Sequence, residues 1–379
     1  MSLTVDSAFG EFICVVPCES DKNRVSTVYE VAIIRSSTFF KTLGVAVGLF
    51  LVVGSSNSEI PRLPNGKPDL SGRYNISTRT PYTRPVELGD RAYFTTEEAE
   101  AIEEKARSAQ ARGAAKSDPH RSAPEGGNIG AYNDFYFEWG DAAFKIDGKY
   151  RTSIIVEPKN GRLPPVTEYG KNRWLNSTKY EWPNERTGSK NGTAWWMETG
   201  EEPYHGPESR NLGDRCIMTS VATYAIMSLP YNNVKTIVQT NDHMMLNIEW
   251  MHYTRVFRMN DSHRPKEIRS LAGDSVGWWE GDTAVIESTN FMRERNQPME
   301  GYRLIEKFTP TEGGLVYYFR VEDPGYEAPY AGEMFWPRSD DYNYEFACHE
   351  GNYYMGNMLR GARLLEQEWL SERSAGING

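Results

Sequence analysis

From Val234 onward, apolar and polar residues alternate in short runs separated by turn-forming residues, as half-buried strands require. Val234–Thr240 alternates and stops at Asn241-Asp242, and Met244–Met259 continues as one bent strand or two. Trp278–Phe291 is interrupted by Glu280-Gly281-Asp282, and Tyr302–Phe308 and Leu315–Val321 flank a turn at Pro310–Gly314. Tyr342–Ala347 completes the series. Upstream, Leu70–Tyr74 leads into a first strand, and Ile154–Val156 precedes the turn Pro158-Lys159-Asn160-Gly161. Strands at this spacing, joined by hairpin turns, predict a mainly β protein built as an antiparallel meander. Closing the meander removes its unpaired edges, so the expected architecture is a lipocalin-like barrel, with a β-sandwich as the alternative.

Two segments carry a helical period instead. Thr95–Arg112 opens with Thr95 and Glu98 in a capping-box spacing, and its narrow stripe of Ala99, Ile102, Ala106 and Ala109 predicts a surface helix. Near the C-terminus, Asn352 precedes Met355, Met358, Leu359, Ala362, Leu365 and Trp369, a stripe that predicts a helix over Tyr353–Leu370. Residues 170–214 show little periodicity and read as an irregular insertion. Three regions follow: an N-terminal extension (1–56), an arm and helix (57–130), and a β-rich body ending in the C-terminal helix (131–370).

Within the extension, the apolar run Leu43–Val53 follows Arg35 and Lys41 and precedes the small polar stretch Gly54–Ser58. A basic flank, a short apolar run and a small-residue exit describe a secretory signal peptide, and the run is short for a membrane span. Its basic flank stands well inside the chain as written. Either translation starts downstream of Met1, for instance at Val25, Val28 or Val31, or the segment is retained as an anchor. The expected location is periplasmic or extracellular, with contact to a membrane only through this segment.

Composition narrows the function. A net charge of −10 and the absence of a Lys/Arg stripe exclude nucleic acid as a partner. Aromatic residues make up 12% of the chain, which suits pleated sheets and ligand cavities. Cys14 and Cys18 lie in the extension; Cys216 and Cys348 lie in the body and either form a long-range disulfide or remain two buried thiols. No paired-cysteine or Cys/His spacing suggests structural zinc, and no dinucleotide fingerprint, Walker loop or Gly-x-Ser-x-Gly elbow is present, so no cofactor is expected.

Several stretches resemble a group of exported bacterial proteins, common in soil and marine genomes, to which no activity is assigned. They are Asp69-Leu70-Ser71-Gly72, Arg151–Pro158, Gly277-Trp278-Trp279-Glu280-Gly281-Asp282-Thr283, Ala347-Cys348-His349-Glu350-Gly351-Asn352-Tyr353 and Gly361-Ala362-Arg363. The resemblance spans about residues 61–366 and implies export and a shared fold, without chemistry.

The candidate chemistry rests on a few polar groups. A bulge near Met251 would bring Glu249 and His252 together, and bulges favour active-site edges. His349 and Glu350 stand at an expected strand-to-helix junction, where side chains project from a rigid support. These four are the candidate catalytic residues, doing general acid–base work as in a lyase, isomerase or hydrolase. Asp134, Arg151 and Arg255 would bind the ligand at a barrel mouth. His120 and His263 are expected in exposed polar loops, His205 in the insertion and His243 at a hairpin turn. No HExxH-type spacing supports a metal site. The expected ligand is a small, partly apolar molecule in an aromatic-lined cavity, either transformed or merely bound. As a further alternative, the chain is a subunit of an exported assembly, using Trp174, Trp182, Trp195 and Trp196 as a flat interface. The oligomeric state is not legible.

Overall fold

The computed structural model describes residues 60–114, 137–178, 193–218, 227–292 and 298–377, with His120, Ser122 and two short N-terminal strands. The signal-like run, Cys18 and Asp134 lie outside the described residues. The chain divides into two compact units, Met1–Asn57 and Ser58–Gly379. In the first, Leu3–Thr4 pairs antiparallel with Ile13–Cys14.

The second unit is organised by one ten-stranded sheet. Its strands are β1 (Gly72–Asn75), β2 (Ile155–Glu157), β3 (Val234–Gln239), β4 (His243–Ile248) and β5 (Tyr253–Met259). They continue as β6 (Asp274–Glu280), β7 (Thr283–Thr289), β8 (Arg303–Thr311), β9 (Gly314–Glu322) and β10 (Tyr330–Pro337). The spatial order is β1-β3-β4-β5-β6-β7-β8-β9-β10-β2. A single curled sheet decides for the barrel-like architecture over the sandwich. The ends of the sheet meet where Tyr74 bridges Arg338, and Ser339 N donates to Arg73 O at 2.9 Å. Arg338 also donates to Ser71 O at 2.9 Å. Gly72 passes this seam at φ 147°, where an added Cβ would lie 2.5 Å from the Arg338 guanidinium. Only glycine fits that backbone comfortably.

One hairpin completes the meander as expected, and one pairing departs from it. The run Met244–Met259 is two antiparallel strands, since the chain turns at Trp250–His252 with Met251 and His252 at φ 58° and 41°. β5 and β6 then pair in parallel, with Phe257 opposite Ser275. A parallel neighbour needs a crossover, and residues 260–273 supply it. His263 pins that crossover: its Nδ1 lies 2.8 Å from Asp274 Oδ2 and its Nε2 lies 3.1 Å from Glu287 Oε1. The expected exposed loop histidine is therefore lodged between two carboxylates, which Arg258 and Arg303 also engage.

Side chains alternate through the sheet as the period-two pattern requires, and the inward set is a packed core. Trp336 stacks on Tyr317 with centroids 4.4 Å apart, and Phe308 packs edge-on to Trp336 at 5.8 Å. Phe257, Phe319, Leu246 and Leu304 fill the same interior and are fully buried. Within this apolar volume lies one ion pair. Arg255 donates twice to Glu306, at 2.8 and 2.6 Å, and once to Ser288 Oγ at 2.9 Å; Tyr317 OH donates to Glu306 at 2.7 Å.

The surface helix is α1 (Thr96–Ala114), and its capping box is formed in both directions, Glu98 N to Thr95 Oγ1 at 3.2 Å and Thr95 N to Glu98 Oε2 at 2.8 Å. Ala99 and Ala106 are the buried residues of its narrow stripe. Within the segment expected to be irregular lies α2 (Glu168–Thr178). Thr167 caps it through Gly170 N at 3.0 Å, and Arg173 ties it to Asp323 by two hydrogen bonds of 2.6 and 2.7 Å. The C-terminal helix is α3 (Tyr353–Ile377), capped by Asn352 through Met355 N at 3.3 Å. Its stripe residues Ala362, Leu365 and Trp369 pack on Ala194 and Trp196, and Trp196 Nε1 donates to Glu366 at 2.8 Å. Trp196 is thus committed to an internal contact, while Trp182 and the side chain of Trp174 lie outside the described residues.

Candidate functional site

After β10 the chain does not form the strand expected at Tyr342–Ala347. Residues 339–347 instead run as an irregular strap held to β3 and β4 by side chains. Asn343 Nδ2 donates to Thr236 Oγ1 at 3.1 Å and to Asn247 Oδ1 at 2.6 Å, and Tyr344 N donates to Glu249 Oε1 at 3.1 Å. Side-chain acceptors take the place of a backbone ladder, so the strap crosses the hairpin rather than extending the sheet. Alternating residues alone cannot distinguish these outcomes.

The strap ends at Cys348, which is disulfide-bonded to Cys216 with Cα atoms 5.6 Å apart. The bond closes a loop spanning 132 positions, and a disulfide that constrains the unfolded chain typically stabilises a fold by about 2–4 kcal/mol. The double variant Cys216→Ser/Cys348→Ser should therefore unfold at lower urea, with a loss in this range. An unchanged midpoint would show that the bond constrains nothing that unfolding releases.

Between strap and sheet lies a groove of ≈ 800 Å³. Phe137 and Glu138 form one wall; Tyr231 and Asn232 come from the approach to β3, Val234 opens that strand, and Glu249 directly follows β4. Asp340, Asp341, Tyr342, Tyr344 and Phe346 supply the strap side. Behind these, Trp250 packs between Tyr231 and Phe346, with each pair of ring centroids 4.8 Å apart. Tyr342 and Tyr344 are each 67% exposed, with ring centroids 6.2 Å apart.

Glu249 is the only candidate catalytic residue that lines this groove. Its Oε2 accepts from Val234 N at 3.2 Å, and burial pushes its pKa up, opposed by the N–H groups of Tyr344 and Val234 and by Asn232. The neighbouring Glu138 charge raises it further. Glu138 is held by Asn75 Nδ2 at 2.5 Å and by Asn233 N at 3.2 Å. Asp341 accepts from Asn75 at 3.0 Å and from Ser339 at 2.7 Å, contacts that lower its pKa.

The other candidates are dispersed. His252 is exposed, and its backbone N, not its ring, reaches Glu249, donating to the carbonyl at 3.0 Å. Met251 and His252 form a turn rather than a bulge, which leaves Glu249 buried and His252 exposed. His349 and Glu350 are exposed in the turn before α3. Arg255 faces the barrel interior, and Arg151 is paired with Glu333 and lies 5.3 Å from the Tyr93 ring centroid. The groove residues that sequence reasoning missed are Glu138, Asp340, Asp341, Tyr342 and Tyr344. The signal available was the aromatic and acidic density of Asp340–Phe346, which the strand assignment obscured.

No family model matches the chain, and comparison with curated proteins and with solved structures finds no significant match.

Proposed function

We propose that this protein is an exported, non-catalytic binding protein that holds a small, partly apolar molecule in the groove between the strap and the β3–β4 hairpin. The observation that carries the reading is a ≈ 800 Å³ recess lined by aromatic rings and a few convergent polar groups. Two further features support it. The disulfide suits an oxidising compartment, and among the described residues no helix is long and apolar enough to cross a membrane. Binding is favoured over catalysis because His252 and His349 are exposed and neither ring is hydrogen-bonded to a carboxylate among the described residues.

Native mass spectrometry of protein purified from its own host tests this directly. The expected result is a bound small molecule in the wild type, with affinity reduced about fivefold or more by Tyr344→Ala, since losing a stacked ring costs on the order of 1–3 kcal/mol. Protein that carries nothing, or a ligand retained fully by Tyr344→Ala and Phe346→Ala, would overturn the assignment.

A further inference from the structure

Resting on that reading, we infer that the ligand of the groove is an organic cation, an ammonium or guanidinium group carried on an apolar body. Around the sheet, carboxylates are matched with basic side chains: Glu333 with Arg151, Asp323 with Arg173, Asp274 with Arg258, Glu287 with Arg303, Glu280 with Lys307. The groove gathers Glu138, Glu249, Asp340 and Asp341, and none of these is ion-paired among the described residues. Among the described residues, no Lys or Arg lines it.

The nearby positive charges do not fill the role. Lys235 lies in the sheet beside Glu249 and Glu138 but is fully buried. Arg73 has its guanidinium 5.2 Å from the Tyr342 ring centroid, and its charge lowers the Asp341 pKa without forming an ion pair with that carboxylate. That contact shows a ring of the strap receiving a cation on its face from within the chain. A positively charged guest would meet carboxylates together with the faces of Tyr342, Tyr344 and Phe346, the combination by which aromatic sites hold ammonium groups. A neutral guest would gain the stacking and leave the negative potential unused; an anionic one would be repelled.

The test compares charged probes with uncharged analogues of the same shape: choline with 3,3-dimethylbutanol, and phenethylamine with 2-phenylethanol. Fluorescence of the native chain reads binding, since Trp250 backs the groove. At least one cation should bind about tenfold or more tighter than its analogue, and its affinity should fall as salt rises from about 20 to about 300 mM. Asp340→Asn, at an exposed residue with no hydrogen-bond partner among the described residues, should weaken the cation about two- to fivefold and leave the analogue unchanged. Tyr344→Ala should weaken both. If the uncharged analogues bind as tightly as the cations, or Asp340→Asn moves both equally, the cation inference fails while the groove remains a binding site. If no probe binds and protein from its own host carries no ligand, both readings fall.

Discussion

Glu306→Gln will destabilise the protein by about 3–5 kcal/mol, the largest loss expected from any isosteric change in the barrel. Arg255 and Glu306 are 1% and 0% exposed, so neither has water to turn to. Burial pulls the Arg255 pKa down, but the Glu306 carboxylate overcomes it and holds the pKa above its ordinary value. Glutamine would keep the shape and some hydrogen bonds while leaving a guanidinium charge unpaired in an apolar interior. The pair Arg255→Met/Glu306→Leu should recover most of the loss, because the desolvation cost of both charges disappears together. Its residual deficit should reflect Tyr317 OH, which donates to Glu306 at 2.7 Å and would lose that acceptor, at about 1–2 kcal/mol. Urea unfolding of the single and double variants measures this. A double variant as unstable as Glu306→Gln would mean that the polar network itself, not charge balance, supports the interior.

Lys235→Met is expected to act in the opposite direction and to depend on pH. The amine is fully buried, and its nitrogen has no hydrogen-bond partner among the described residues. Burial lowers its pKa from 10.5 to about 7, although Glu249 and Glu138 pull it upward. Between those two values the unfolded chain binds a proton that the folded chain has lost, so stability contributed at this site rises with pH. The cost is complete below pH 7 and vanishes above 10.5. At about 1.4 kcal/mol for each tenfold change in proton affinity, it amounts to about 5 kcal/mol in acid. The variant should therefore exceed wild type by several kcal/mol at about pH 6, narrowing to about 1–2 kcal/mol by pH 9.5. Measurements belong below pH 10, because burial raises the pKa of Tyr82, Tyr253 and Tyr302, and stability is lost as the unfolded chain's phenols ionise. A gap that stays constant with pH would exclude Lys235 as its source.

Strand identity was legible wherever a strand has one wet and one dry face. Met244, Leu246 and Ile248 face inward between His243, Met245 and Asn247, and that pattern predicts β4 whatever lies across from it. The same alternation misleads at Tyr342–Ala347. Whether such a stretch pairs or crosses is decided by Asn343 and Glu249, whose acceptors and donors sit on distant parts of the chain. The candidate site suffered for the same reason. Glu249 was recognisable as an acidic residue near a break in a strand, but its neighbours Glu138 and Asp341 come from segments 111 and 92 positions away in the numbering. His263 gave no local sign of the two carboxylates that hold it.

By itself, then, the sequence determined that the chain makes a mainly antiparallel sheet with a capped surface helix and a capped C-terminal helix, because period and capping are local properties. Tertiary structure decided which polar residues are structural and which line a site. Arg255 became half of an interior ion pair because its strand faces inward opposite Glu306, and the groove arose where a strap crosses the sheet. Both outcomes depend on long-range register, which fixes what a charge meets, and a charge in a low-dielectric interior is defined by its partner.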